Sequence, residues 1–229
     1  MLSKIRRLFN KGCTDYSLLA DGDRILVGVS GGKDSLVLLE MMAMRARILK
    51  PAISVEAAYV VMDNIPYDAD AEYLLCLCER LGVRLHVLHT SFDESTDRRR
   101  TKCFLCAWNR RKTLFRFAED NGFNKVALGH HMDDFLVTYL MNITFEGAAS
   151  TMQPLMVMEH YRLAVIRPLC LVHETMIRTY AEECSLVHQK AACPYESDTR
   201  RKSIAGILAQ IESINPEARY SMWHAITRR

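Results

Sequence analysis

The chain has 229 residues, of which 49% are hydrophobic and 25% charged, and its formal net charge is +3. That length suits one large domain, and the balance of apolar to charged residues excludes wholesale disorder. No run approaches the roughly 18 consecutive apolar residues of a membrane-spanning helix. No signal-peptide core follows the basic, amphipathic residues 1–9, so the cytosol is the expected compartment.

Residues 1–20 read as an N-terminal helical segment. Residues 24–29 are a short apolar run giving way to glycines and serines, the pattern of a buried strand. Leu36, Leu39 and Met42 recur at helical spacing and mark a helix over 35–50 that Pro51 stops. A strand over 54–62, a helix over 68–81 and a strand over 83–89 follow. Beyond a basic segment, 112–121 reads as a helix ended by Gly122, then 124–128 as strand and 133–143 as helix. A fifth strand is expected over 163–166 with its helix over 174–184, and the tail is helical over 203–211 and 216–226. Strands that alternate with helices need crossover connections, hence a mainly parallel sheet covered on both faces. The expected fold is one α/β domain over 1–229 with an open, mainly parallel five-stranded sheet of Rossmann-like form. A C-terminal helical extension covers 195–229. Ligands of such sheets bind beyond the carboxyl ends of the strands.

The first strand runs into Ser30-Gly31-Gly32-Lys33-Asp34-Ser35 and then a helix. Two glycines let backbone amides approach a ligand, the helix start adds N–H donors, and Lys33 adds charge: an anion cradle. It is not a Walker A loop, because Val27 stands where the first glycine belongs and Asp34 follows the lysine. It is not the dinucleotide fingerprint either, since Gly28-Val29-Ser30 lacks the second glycine. An aspartate inside a phosphate loop repels phosphate unless a cation bridges the two, which assigns Asp34 to magnesium.

Charge is unevenly spread. Arg98, Arg99, Arg100, Lys102, Arg110, Arg111, Lys112 and Arg116 lie in one stretch without an acid, and Arg200-Arg201-Lys202 forms a second cluster. Such asymmetry suits a phosphate-rich partner, with a solvated helix face as the plainer reading.

Eight cysteines without a secretion signal argue against a disulfide framework. Cys76, Cys78 and Cys170 sit in apolar surroundings and read as core residues. Cys103-Phe104-Leu105-Cys106 is a pair of the kind that binds zinc, ligates an iron–sulfur cluster or does redox work. A self-contained zinc site needs a second such pair, and none is present. Cys193, in Cys193-Pro194-Tyr195, is the favoured third thiolate, with Cys184 as its rival.

The hexapeptide after the first strand resembles the loop of the PP-loop, or N-type, ATP pyrophosphatases. That resemblance implies ATP cleaved between its α and β phosphates while a substrate oxygen is adenylated. Val29, Ser30, Gly31, Gly32, Lys33, Asp34 and Ser35 would surround the phosphates. Gly129-His130-His131-Met132-Asp133-Asp134 is similar to the second signature of the tRNA-modifying branch, its carboxylates holding magnesium or orienting the substrate. Asp133 as a plain helix cap is the alternative. By the family pattern Val61, Met62, Asp63, Leu128, Gly129 and His130 line the adenosine. Lys33, Asp34, Arg110, Asp133 and Asp134 carry the catalysis, and Arg111 is a stand-in for Arg110.

The cysteine pair and distant Cys-Pro on this loop resemble the tRNA 2-thiocytidine and 2-thiouridine synthetase group, over residues 21–225. Ile166-Arg167-Pro168-Leu169, and Thr199-Arg200-Arg201-Lys202 after the Cys-Pro-Tyr, are closest to the 2-thiocytidine branch. The lack of zinc-finger cysteines at both ends points the same way. The resemblance implies a [4Fe-4S] cluster on Cys103, Cys106 and Cys193, with one iron open to carry sulfur that is installed at C2 of a tRNA pyrimidine. A sulfur donor, either sulfide or a desulfurase persulfide, is then required, and a homodimer is common in that group. Arg98, Arg99, Arg100, Lys102, Arg111, Lys112, Arg200, Arg201 and Lys202 would grip tRNA phosphates. Trp108 reads as core, with stacking on an unpaired base by Trp108 or Phe104 as the other role. Two other functions fit the same residues. One is an adenylating ligase with zinc-bound or structural cysteines; the other is a metal-stabilised RNA-binding module with a degenerate loop, against which the intact Lys33 and Asp34 count.

Overall fold

Strand β1 (Asp23–Val29) lies between β2 (Ile53–Met62) and β4 (Lys125–Ala127), parallel to both. Its side chains alternate, Ile25, Val27 and Val29 entering one core and Leu26 the other, so both faces need cover. Helices α1 (Leu2–Asp15), α2 (Lys33–Ala46), α3 (Ala71–Leu81) and α6 (Glu174–Glu183) build the first core through Phe9, Leu36, Leu39, Leu74 and Ile177. Helix α4 (Lys102–Asp120) closes the other face with Leu114, Phe115 and Ala118. This computed structural model describes residues 1–65, 70–92, 101–187 and 199–227.

The six-stranded sheet has the order β3-β2-β1-β4-β6-β5, with β3 (Leu85–Thr90), β5 (Leu155–Val157) and β6 (Ala164–Ile166). The chain steps outward from β1 to β3, then returns to place β4 on the far side of β1. That reversal opens a crevice between the loops after β1 and β4, where a ligand of this fold class sits. All pairings are parallel except β5 with β6. Strand β5 is the sixth strand that the sequence reading lacked. It is a three-residue edge strand after Pro154 that is only partly buried, whereas the equally short β4 and β6 bury two of their three residues.

Helix α4 also begins ten residues before its expected start. Thr101 caps it, accepting from the Phe104 amide at 3.2 Å. Its first turns pack Leu105 and Cys106 on a separate small cluster of Met62, Ile65 and Phe92, so no single apolar stripe runs its length. Helices α5 (Met132–Met141), α7 (Thr199–Ile214) and α8 (Ala218–Thr227) form a further cluster through Phe135, Ile204, Leu208 and Trp223. Cys78 and Cys170 are buried as expected, but Cys76 is exposed, on the solvent side of α3. Among the described residues no helix is long and apolar enough to cross a membrane.

Candidate active site

Ser30 follows β1 directly, and Gly31 has φ of +80°, a conformation that favours glycine. The turn feeds α2, whose first residue is Lys33. Ser35 fixes its shape: the hydroxyl donates to the Gly32 carbonyl at 2.8 Å and accepts from the Ser30 amide at 3.1 Å. The Gly32 amide donates to the Ser30 hydroxyl at 3.3 Å. The loop thus sits at a helix N-terminus, where amides and dipole favour an anion.

The Lys33 ammonium lies 3.2 Å from Asp34 and 3.1 Å from Glu174. Burial pushes Lys33 down, but the two carboxylates outweigh it and hold it above its usual value. Asp34 Oδ1 is buried and accepts no well-directed hydrogen bond. Among the described residues this oxygen meets only the charge of Lys33 at 3.2 Å and of His131 at 3.7 Å. A carboxylate oxygen so placed beside a phosphate cradle is one that a hard divalent cation can take up, so magnesium fits here.

The loop after β4 passes directly over the first one, Gly129 against the backbone of Asp34 and Ser35. The next two residues are histidines in opposite surroundings, His130 half-buried and His131 buried. Burial, aided by the Arg167 guanidinium, lowers His130 to about 4, and its Nδ1 accepts from Arg167 Nε at 3.3 Å. Burial opposes the charged form of His131 too, but Asp133, Asp134 and Asp34 surround it at 3.5–3.7 Å and raise it.

Neither carboxylate that opens α5 faces open space. Asp133 pairs with Arg219 of α8 and accepts from the Glu174 amide at 2.9 Å. Burial pushes its carboxyl up, yet His131, the Glu174 amide and Arg219 together hold it well below the usual range. Asp134 pairs with Arg201 of α7 and accepts from the His131 amide at 3.0 Å. The two aspartates therefore tie the C-terminal helices to the second loop. Arg201, expected on RNA, pairs with Asp134 while 39% of its side chain stays exposed, Arg200 lies over the Phe145 ring at 5.5 Å, and Lys202 is exposed.

Beside the first loop an apolar cleft of about 140 Å³ is lined by Gly28, Val29, Tyr59, Leu114, Leu128, Arg110 and Arg111. Its walls suit a flat base and its two guanidiniums suit phosphate. Val61 and Met62 end β2 nearby in sequence. Met62 is buried beneath α4 rather than lining this cleft, and the Asp63 carboxylate is 2.8 Å from His89 Nδ1. Arg167 is buried, donates to the Gln153 carbonyl at 2.6 Å, and is lowered to about 10 by burial and by Arg111. Two like charges that feel each other, one of them lining the cleft, gain from an anion nearby.

Cys103 and Cys106 stand one turn apart at the N-terminus of α4, the first exposed and the second half-buried. Soft donors at that spacing, at the positive end of a helix, fit an iron–sulfur cluster. Cys193, Arg98, Arg99 and Arg100 lie outside the described residues. Cys184 is exposed at the end of α6. Lys102 and Lys112 are half-buried and Arg111 exposed along α4. Trp108 is not in the core: it is 46% exposed, with the Lys112 ammonium 4.7 Å from its ring centroid. The residues that the sequence reading missed are Glu174 and Arg219, together with Arg167 and His131 as functional groups. Their partners lie up to 141 positions away, as Glu174 does from Lys33, and no local pattern announces them.

The PP-loop domain family matches residues 1–210. A tRNA-cytidine(32) 2-sulfurtransferase of Chromohalobacter salexigens is 33% identical over 239 residues, covering 98% of this chain and 80% of its own. One of Geobacter metallireducens is 34% identical over 237 residues, covering 97% and 88%. Among solved structures, the U34-tRNA thiolase NcsA from Methanococcus maripaludis with its [4Fe-4S] cluster matches with a TM-score of 0.81 at 25% identity. That match covers 99% of this chain and 78% of the thiolase. NMN synthetase from Francisella tularensis, at 17% identity and a TM-score of 0.55, covers 91% of this chain and 84% of its own and shares the fold.

Proposed function

We propose, from the premise that this chain belongs to the PP-loop family and within it to the group of the tRNA-cytidine(32) 2-sulfurtransferases, that it is an ATP-dependent tRNA sulfurtransferase. It activates the C2 oxygen of a pyrimidine, and the replacement atom is sulfur. One observation carries this reading. The Ser30–Ser35 cradle, the His131–Asp134 loop and the Cys103–Cys106 helix start all gather at the carboxyl edge of one sheet.

ATP would place its phosphates on Ser30, Gly31, Gly32 and Ser35 and its base in the cleft between Val29, Tyr59 and Leu128. Lys33, now between Asp34 and Glu174, would turn to the phosphates, and Asp34 would share a magnesium ion with them. The pyrimidine C2 oxygen attacks the α-phosphorus and pyrophosphate leaves, a step whose growing negative charge Arg110, Arg111 and Lys33 offset. A sulfur nucleophile then adds at C2 and AMP departs with the oxygen. Asp133 and Asp134 act by position, holding α7 and α8 against the second loop.

A [4Fe-4S] cluster on Cys103, Cys106 and Cys193 would supply an open iron position for a sulfur ligand and Lewis acidity without net redox change. The donor of that sulfur is sulfide, or a desulfurase persulfide together with a thiol reductant that supplies the two electrons to cleave its S–S bond, and the cytosol is the place of work. We read residues 1–229 as one such domain, with 1–20 and 195–229 as its helical ends, acting as a homodimer. Lys102, Arg111, Lys112, Arg200 and Lys202 would meet the tRNA backbone, so affinity should fall steeply with salt.

The test is anaerobic purification with iron, acid-labile sulfide and zinc quantitation, followed by nucleoside analysis of tRNA incubated with ATP and sulfide. About four irons per chain and ATP-dependent 2-thiocytidine are expected. Zinc in place of iron, with pyrophosphate release but no thionucleoside, would move the assignment to an adenylating ligase.

A further inference from the structure

We propose that Trp108 is a stacking platform for an unpaired RNA base next to the one being modified. The inference rests on the proposed function for its RNA partner and adds where that RNA is held. Trp108 is 46% exposed in mid-helix, and Phe104, one turn earlier, is 40% exposed. With Lys112 they stand at i, i+4 and i+8, which places all three on one stripe of α4. The Lys112 ammonium lies over the indole at 4.7 Å from its centroid. That contact steadies the ring and sets a positive charge at its border.

The stripe is surrounded by charge of one sign. Lys102, Arg110, Arg111, Lys112 and Arg116 share this helix, and its first acid is Glu119, which accepts from the Arg162 amide at the far end. An apolar protein partner would have to strip water from these cations. A single strand instead brings phosphates to them and a base to the ring at once. Duplex RNA offers no free base face, so the occupant is an unpaired residue.

Position along the helix sets which residue. Trp108 lies two residues after Cys106 and three before Arg111, about 4.5 Å of helix rise from one of the two arginines that line the nucleotide cleft. The modified base must come up to the Ser30–Ser35 loop to meet the α-phosphorus, whereas the indole is not among the groups that line the cleft and stands in solvent. Trp108 therefore holds a flanking base and thereby presents the target.

The chain has two tryptophans, and Trp223 is buried against Phe135 and Tyr16, so a change of emission on binding reports Trp108. The full chain, purified anaerobically, is titrated with an RNA hairpin carrying an unpaired pyrimidine loop and with a duplex of matched composition. Loop RNA should quench the emission and the duplex should not. Trp108→Ala should weaken loop binding roughly ten-fold. Trp108→Phe should keep most of the affinity while the emission stops responding. If Trp108→Ala binds the loop as tightly as wild type, the platform is overturned and the RNA reading survives. If neither wild type nor Trp108→Phe binds the loop, both fall. Emission that is already blue-shifted without RNA, and that grows so with protein concentration, would place the indole in a contact between copies of the chain and overturn the platform.

Discussion

Gly129 lies against Asp34 so closely that a Cβ on it would stand 3.0 Å from the Asp34 carbonyl carbon and 3.1 Å from the Ser35 nitrogen. Both neighbours are backbone, so neither can swing aside as a side-chain tip would. The glycine is what lets the loop after β4 rest on the loop after β1. Gly129→Ala should therefore push the two loops apart. The expected result is about 1–3 kcal/mol less stability with weaker ATP binding. Urea unfolding with and without ATP separates the two effects. Wild-type stability together with wild-type ATP affinity would show that the loops tolerate the extra carbon.

Arg219 reaches from α8 to Asp133, which is itself mostly buried. Removing the guanidinium leaves a carboxylate with His131 and one amide, and such half-broken buried pairs typically cost about 3 kcal/mol. Arg219→Ala should show that loss near neutral pH. The sign with pH follows from the lowered Asp133 carboxyl. Its contribution is fully present above the ordinary aspartate value of about 4 and fades as pH falls below it. The variant should accordingly lose less than wild type on acidification from pH about 5 downward. Unfolding curves across that range would decide it, and parallel curves for the two proteins would remove Arg219 from the account.

These contacts also show where sequence reading stops. The Val29–Ser35 passage is legible because strand, glycine turn and helix start are local and their order restricts the chemistry. The same holds for Gly129 to Asp134. Arg219 and Glu174 are not legible, since an arginine in a helical tail gives no sign of a partner 86 positions back. β5 is no shorter than β4 and β6, which are legible, but it is an edge strand after Pro154 with Val157 exposed, so it lacks their buried apolar signature. Trp108 misled because an apolar residue amid helical spacing reads as core, and only the fold shows that side of α4 facing water.

His130 and His131 are neighbours that titrate in opposite directions. Burial with Arg167 lowers His130 to about 4, so the stability it contributes is full above the ordinary value of about 6.5 and is lost as pH falls toward 4. The carboxylates around His131 raise it, so its contribution is full below about 6.5 and is lost as pH rises through its folded value. Imidazole proton signals followed by NMR should show one ring neutral and one charged near pH 6.5. His130→Gln should delete the neutral signal. Two rings titrating together at the ordinary value would contradict the geometry.

Thiol reactivity can choose the third cluster ligand. Burial pushes Cys13 and Cys170 up to about 12 and Cys78 up to about 11, so all three should stay protonated and resist alkylation in the folded protein. Cys76, Cys103 and Cys184 are exposed and should react, with half-buried Cys106 slower. Iron–sulfur reconstitution should then protect Cys103, Cys106 and one more cysteine. If that cysteine is Cys193, a loaded chain treated with iodoacetamide carries label on Cys76 and Cys184 alone by peptide mass spectrometry. Cys193→Ser should lose iron binding while Cys184→Ser keeps it. Protection of Cys184 with labelling of Cys193 would reverse the assignment. Labelling of Cys103 and Cys106 in the presence of bound iron would remove the pair from the cluster altogether, since a thiolate bound to iron is not available to the alkylating agent.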